Sequence, residues 1–320
     1  MTAKAALNGS RPFRMISGVS RVEDLANGVE ALAPNLIGAK TVYYCDGNAG
    51  VDTNSGVGGW ENAFKTLTVA LAASNADVAL NKYGWAARNV ILCRADSFDE
   101  DLVLLAHKTD GVGLGSWDQW QGCGLTGNHV PTGATASYGT RFFNMHFKAN
   151  AAGGDIWTLD SYAASLGFYG CTFDSRSTTA ATAAIVSTAA MNLQIVGCEA
   201  WGAFSDAVIE IGAGDAHGLR IIGNVIEGAN EGIHINASVT DESGATQRSI
   251  LIKDNVIRAT TTCINDASDI AMIVDNRCVT AAAKGSAGAG AIVGNELFSS
   301  GNKISASDLA NADWPALGTL

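Results

Sequence analysis

Between residues 140 and 298 one short pattern occurs seven times, centred on Met145, Cys171, Cys198, Asn224, Asn255, Asn276 and Asn295. Three residues before each station stands an apolar side chain: Phe142, Phe168, Ile195, Ile221, Ile252, Ile273 and Ile292. Two residues after it come Phe147, Phe173, Ala200, Ile226, Ile257, Cys278 and Leu297. Inward positions that alternate in this way follow strand periodicity, not helical periodicity. The stations recur every 19 to 31 residues, which suits one turn of a solenoid. A solenoid made only of strands and turns is a parallel β-helix, an all-β fold in which one chain winds as a single coil. A second β-prone run follows most stations, at Ile156 to Leu159, Ala184 to Val186, Ala207 to Ile211, Gly232 to Ile235 and Cys263 to Ile264. Each rung therefore carries at least two strands, separated by Gly, Ser, Thr and Asn of the kind that turns require.

Stacked rungs place equivalent residues in ladders ~4.8 Å apart. Asn224, Asn255, Asn276 and Asn295 then form an asparagine ladder, each amide bonding the next and satisfying buried turn groups. Cys171, Cys198 and Cys278 fall on inward positions, where a reduced thiol acts as a small apolar residue. The seven cysteines show no zinc-finger spacing. Charged residues make up only 16% of the 320, against ~25% in ordinary globular chains, so one outer face is expected to hide against copies of the chain. A net charge of −11 argues against nucleic acid as a partner. No apolar run is long enough for a membrane span, and no signal-peptide core follows Met1. Synthesis and assembly in a cytoplasm are expected.

Residues 41–300 read as the solenoid, 1–40 as a separate arm and 301–320 as a C-terminal cap or tail. In the arm, Lys4, Arg11, Arg14 and Arg21 precede the first acidic residue, Glu23. Ser20 to Glu23 reads as a capping box that opens a short helix ended by Pro34. The arm is either a helix packed under the first rung or an attachment segment for an acidic groove on a larger assembly. At the entry to the solenoid, Trp60, Phe64, Leu67 and Leu71 have helical spacing, which predicts a capping helix over 60–73 that covers the open end. Ahead of it, Asp46, Asp52 and Asn54 lie in a Gly-rich loop. Asx-turns explain that spacing; Ca²⁺ ligation is the alternative, without the glutamate of an EF-hand.

The run Tyr44-Cys-Asp-Gly-Asn-Ala-Gly-Val-Asp-Thr-Asn-Ser-Gly56, followed by Trp60-Glu-Asn-Ala-Phe-Lys-Thr-Leu-Thr-Val-Ala-Leu71, resembles the opening of the pectate-lyase-like superfamily. There the pattern is roughly YVDGNxGxDxNxG and then xxAFxTIxxAL. The stretches Lys82 to Arg88 and Leu125 to Val130 are similar to β-helix proteins of tailed bacteriophages. The resemblance spans residues 41 to about 300 and implies a right-handed parallel β-helix. It specifies activity weakly, because the superfamily includes lyases, hydrolases, epimerases and non-enzymatic virion parts.

Two outward ladders are candidates for chemistry. Glu210 and His234 come to neighbouring rungs with Asn265 next, and Asp254 and Asp275 each precede a ladder Asn, with Lys253 beside the first. Paired carboxylates suit glycosidic hydrolysis or Ca²⁺ binding. Against this, Gly170, Gly197, Gly223 and Gly294 share the position of Asp254 and Asp275, which marks a tight turn. Trp157, Trp201 and Tyr162 are the outward aromatics of the repeats that sugar stacking would use, and Trp85, Trp117 and Trp120 lie in the irregular span before them. In that span, Val90 to Cys93, Leu102 to Leu105 and Val112 to Leu114 read as strands. No cofactor is expected. The sequence thus predicts a non-enzymatic virion protein of a tailed phage, a homotrimeric knob or spike on the particle surface that contacts other capsid or tail proteins. The alternative is a spike that cleaves or binds a host-surface glycan.

Overall fold

The computed structural model describes residues 39–80, 88–94, 97–115, 122–133, 137–150, 154–176, 181–189, 191–241, 249–268, 270–280, 292–293, 296–299 and 302–303. The N-terminal arm with Lys4, Arg11, Arg14 and Arg21, the station Asn295, Trp85, Trp117, Trp120 and most of the 301–320 tail lie outside them.

The described chain is a mostly β, parallel fold built on two long sheets. The first has ten strands, from Ala39–Cys45 through Arg88–Cys93, Thr109–Gly113 and Arg141–Phe143 to Ile292–Val293, stacked in chain order. Inward residues fall into one register line: Tyr43, Ile91, Gly111, Phe142, Phe168, Ile195, Ile221, Ile252 and Ile273, with Ile292 the next register partner. The second sheet runs from Ser97–Asp99 through Met145–Lys148 and Thr172–Ser175 to Glu296–Ser299, lining up Phe98, Leu125, Phe147, Phe173, Ala200, Ile226, Ile257, Cys278 and Leu297. A third run of pairing puts Trp157, Ile185, Ile209, Ile233 and Ile264 in line. In the later repeats it merges with the second sheet, because Val225–Ile235 and Val256–Asp266 are single long strands. Among the described strands only Asn302–Lys303 pairs antiparallel, back onto Glu296–Ser299.

Between the first two sheets the chain turns a tight corner. Its first residue is left-handed in repeat after repeat: Asn144 (φ 53°), Gly170 (57°), Gly197 (63°), Gly223 (67°), Asp254 (55°) and Asp275 (54°). Gly, Asn and Asp are the residues that tolerate this conformation, which accounts for both carboxylates before their asparagines. The next residue is the station. Asn224, Asn255 and Asn276 are buried there, and each of the first two donates from Nδ2 to the Oδ1 of the next, over 2.9 and 2.8 Å. The same oxygens accept the backbone N–H of the preceding station: Cys198 to Asn224 (2.8 Å), Asn224 to Asn255 (3.0 Å) and Asn255 to Asn276 (3.1 Å). The amides also donate to the carbonyls of Ile195, Ile221 and Ile252.

Part of the interior is aromatic. Phe142, Phe147, Trp157 and Phe168 meet with ring centroids 5.2–5.9 Å apart. Trp157 is fully buried in this group, contrary to the outward placement expected from sequence, because it stands on the inward register line. Tyr162 is also buried, its hydroxyl donating to the Leu105 carbonyl and accepting the Leu105 N–H. Leu102 to Leu105 is not a strand: side chains serve its backbone, Tyr162 at Leu105 and the Nδ1 of buried His129 at Leu102. Burial lowers the His129 pKa to about 3, so the ring is neutral. The irregular span holds two repeats among the described residues, with second-sheet strands Ser97–Asp99 and Cys123–Thr126 that the alternation did not reveal.

The capping helix is displaced from its expected bounds of 60–73. Trp60–Asn62 is a 3-10 turn and the α-helix is Leu67–Leu80. Phe64 is held in extended backbone, its N–H donating to the Tyr44 carbonyl and its carbonyl accepting from Asp46 N, so helix cannot begin there. It begins where carboxylates meet its free N–H groups. Asp52 accepts from Lys65 and Thr66, and Glu100 accepts from Leu67 and Thr68. The helix buries Leu67, Ala70 and Leu71 in the core at the first strands.

Truncating one rung of the asparagine stack orphans several buried groups at once. Asn255→Ala is expected to cost about 3–5 kcal/mol, read as a lower urea midpoint. Val256→Ala next to it, whose side chain is exposed, should stay within about 0.5 kcal/mol; equal losses at the two positions would remove the amide stack from the account.

Candidate functional site

Glu210, His234 and Asn265 occupy one outward register line on adjacent strands. The same line begins with Thr158 and Val186. Strand pairing alone brings Glu210 and His234 side by side, since Ile209 and Ile233 flank them on the inward line. Three further carboxylates gather there: Asp155, Asp206 and Glu231. The alternation did not identify them. Asp206 and Glu231 sit next to register shifts, between Phe204 and Ala207 and between Ala229 and Glu231, where a strict two-residue period no longer tells inside from outside.

Burial raises the Glu210 pKa, Asp206 adds to the shift, His234 opposes it, and Asp155 and Glu231 add further. Burial likewise raises Asp155, which accepts a 3.1 Å hydrogen bond from Thr158 Oγ1. A carboxyl whose pKa is raised by burial among other carboxyl groups is the kind of group that general-acid chemistry uses. The imidazole that such chemistry would recruit is turned elsewhere: His234 Nδ1 lies 3.5 Å from Glu231 Oε2. Asn265 Nδ2 approaches the same carboxylate at 3.4 Å. The described geometry is thus an acidic patch with a His–Glu–Asn contact at one side.

Asp254 and Asp275 are exposed at left-handed corners, and Lys253 Nζ lies 3.6 Å from Asp254 Oδ2. Their position is accounted for by the turn. In the entry loop, Asp46 accepts the N–H groups of Asn48 and Ala49 as an Asx-turn and pairs with Arg94 at 2.8 Å. Asp52 caps the helix, and Asn54 Nδ2 donates to the Ala63 carbonyl. The three side chains therefore serve separate backbone groups. Among the described residues no group of three or more His, Cys, Asp or Glu could hold a metal ion.

All seven cysteines are free thiols and buried. Cys45 and Cys93 are register partners. Burial raises the Cys198 thiol, aided by Cys171, and hydrogen bonding to Cys263 followed by burial raises Cys278. Trp201 is half-buried and its indole N–H donates to Glu199 Oε2 at 2.9 Å.

No family model, curated protein or solved structure matches the chain. The chemistry of the patch therefore rests on its own geometry.

Because the folded state holds the Glu210 pKa above its unfolded value, the ionised form costs stability above that pKa, and the cost disappears as pH falls through it. Glu210→Gln is expected to raise the thermal midpoint at pH 7 and leave it unchanged near pH 4. A lower midpoint at pH 7 would show that the carboxylate is stabilised where it stands.

Proposed function

We propose that the sheets are the walls of a right-handed parallel β-helix, and that this chain is a non-enzymatic structural protein of a tailed-phage particle. Three copies form a knob or spike on the particle surface, attached through the N-terminal arm to other virion proteins. The resemblance of residues 44–71 to the pectate-lyase-like superfamily supports the winding and its hand.

The observation that carries the assembled state is an outward row on the ten-stranded sheet. It reads Tyr44, Leu92, Val112, Phe143, Tyr169, Val196, Ile222, Lys253 and Val274. At its start the chain covers the row itself: Tyr44 and Leu92 are buried in a cluster with Ala63, against which Trp60 and Val112 pack. From Phe143 to Val274 the row is only half-buried. Strand spacing gives that stretch a length of about 24 Å, apolar at every position except Lys253. The second sheet is different outside, carrying Lys148, Asp174, Glu199, Glu227, Arg258 and Arg277. A half-buried apolar row of this length is the kind of surface that meets a partner.

A second reading, a spike that cleaves or binds glycan, draws on the raised Glu210 pKa. Static light scattering of the full chain distinguishes it from an isolated enzyme. The structural reading predicts a mass three times the 32.9 kDa of one chain, together with immunogold labelling of the outside of particles released by cells that carry the gene. A monomer with glycan-depolymerising activity and no label on particles would overturn it.

A further inference from the structure

The seven buried cysteines do not all stand in the same relation to one another. Cys171 and Cys198 are successive stations, since Tyr169 pairs with Val196 just before them and Thr172 with Glu199 just after. Each sulfur lies 3.4 Å from a carbonyl oxygen of the preceding repeat, that of Phe142 for Cys171 and that of Phe168 for Cys198. The two side chains therefore point the same way along the axis, and their sulfurs are offset by about one strand spacing, ~4.8 Å. A disulfide needs ~2.05 Å, so bridging this pair would turn one thiol away from its carbonyl. Cys45 and Cys93 are in-register partners as well.

Cys263 and Cys278 lie on different lines. Cys278 follows Ile257 on the inward line of the second sheet. Cys263 belongs to the strand of the repeat before, Val256–Asp266, and stands opposite Gly232, between the register pairs Glu231 with Thr262 and Ile233 with Ile264. Its sulfur lies 3.6 Å from the carbonyl oxygen of Ile257, the register partner of Cys278, and 3.7 Å from that of Val279, the residue after Cys278. Cys263 thus reaches into the step between the two repeats, where the Cys278 thiol meets it. The hydrogen bond from Cys278 lowers the Cys263 pKa against the opposing effect of burial, so Cys263 is the better nucleophile of the two. Both side chains are buried, which confines their chemistry to reagents about the size of water or to openings of the strand edge.

We propose that Cys263 and Cys278 are a redox pair that closes to a disulfide and staples the strand Val256–Asp266 to the strand Arg277–Thr280 of the next repeat. The oxidant is a peroxide. The Cys263 sulfur attacks one peroxide oxygen, the O–O bond breaks, and the other oxygen leaves as water with the Cys263 proton, giving a sulfenic acid. The Cys278 sulfur then displaces the sulfenic hydroxyl, which takes the Cys278 proton and leaves as a second water. Two thiols are oxidised by two electrons to one disulfide, and the peroxide is reduced to two waters. The bridge encloses residues 264–277, and closing a loop of roughly 15 residues constrains the unfolded chain. Among the enclosed residues is Asn276, whose Oδ1 accepts from Asn255. The closed pair therefore holds the Asn276 end of the amide stack against unwinding.

The test treats the full chain, purified reduced, with hydrogen peroxide, then unfolds it in N-ethylmaleimide and cleaves it with trypsin. Trypsin cuts after Arg258, Arg277 and Lys284, which puts the two cysteines on separate peptides, 259–277 and 278–284. Mass spectrometry is expected to find these two peptides joined, with Cys45, Cys93, Cys171 and Cys198 carrying the maleimide. The oxidised chain is expected to melt about 5 °C higher than the reduced chain, and dithiothreitol to remove the gain. Cys263→Ser is expected to show neither the joined peptides nor the redox-dependent midpoint. Maleimide on both Cys263 and Cys278 after peroxide, a bridge between Cys171 and Cys198 in their place, or a redox-dependent midpoint that persists in Cys263→Ser overturns the proposal. So does a joined pair whose closure lowers the midpoint, because the bridge then strains the stack it was to hold.

Discussion

The Asn255 amide bonds Asn224 above it, Asn276 below it and the Ile221 carbonyl only if neighbouring repeats stack one strand spacing apart, in register. That condition fixes much else. It places the stations on one line, and the strands leaving each corner on common lines. With the corner residue left-handed, the chain passes from the first sheet to the second with only that residue and the station between the strands from Gly170 onward. Buried amides without such partners would each cost on the order of 1–3 kcal/mol, so a slipped register is penalised several times over. The cysteines at the earlier stations bond differently: the Cys171 and Cys198 thiols donate to the carbonyls of Phe142 and Phe168 at 3.4 Å. The corner is thus held by thiols where the core is aromatic, and by amides where it is aliphatic.

The inward lines were legible because they depend on local alternation and a repeated turn. Phe142 to Ile292 and Phe147 to Leu297 could be aligned without knowing any contact. The glycines at 170, 197 and 223 and the aspartates at 254 and 275 could be equated because one backbone conformation serves both. What escaped depended on partners distant in sequence. The helix start is decided by Asp52 and by Glu100, 33 residues beyond Leu67, and by the extended bridge at Phe64. The irregular path of Leu102 to Leu105 is decided by His129 and Tyr162, 27 and 57 residues away. Trp157 was misread for another reason: in a short strand, one residue's error in phase moves a side chain from the core to the surface.

The outward positions were less legible still. Glu210 beside His234 could be aligned, but Asp206 and Glu231 join them at bulges that the period cannot follow, and Asp155 lies just ahead of its strand. A low charge content suggested that the outer faces are uncharged. The structure instead arranges charge line by line: an apolar row runs along the first sheet beside the ion pairs of Asp110 with Arg88 and Arg141, and an acidic patch lies on the third run of strands. A sequence shows how many charges a repeat carries; only the register shows which of them share a face.

The most direct measurement is a cryo-electron-microscopy map of the isolated assembly at a resolution that separates strands. The account predicts three parallel, right-handed coils around a threefold axis, with the line from Phe143 to Val274 covered by a neighbouring copy. A single coil with that line open to solvent, coils running antiparallel, or a left-handed winding would contradict it.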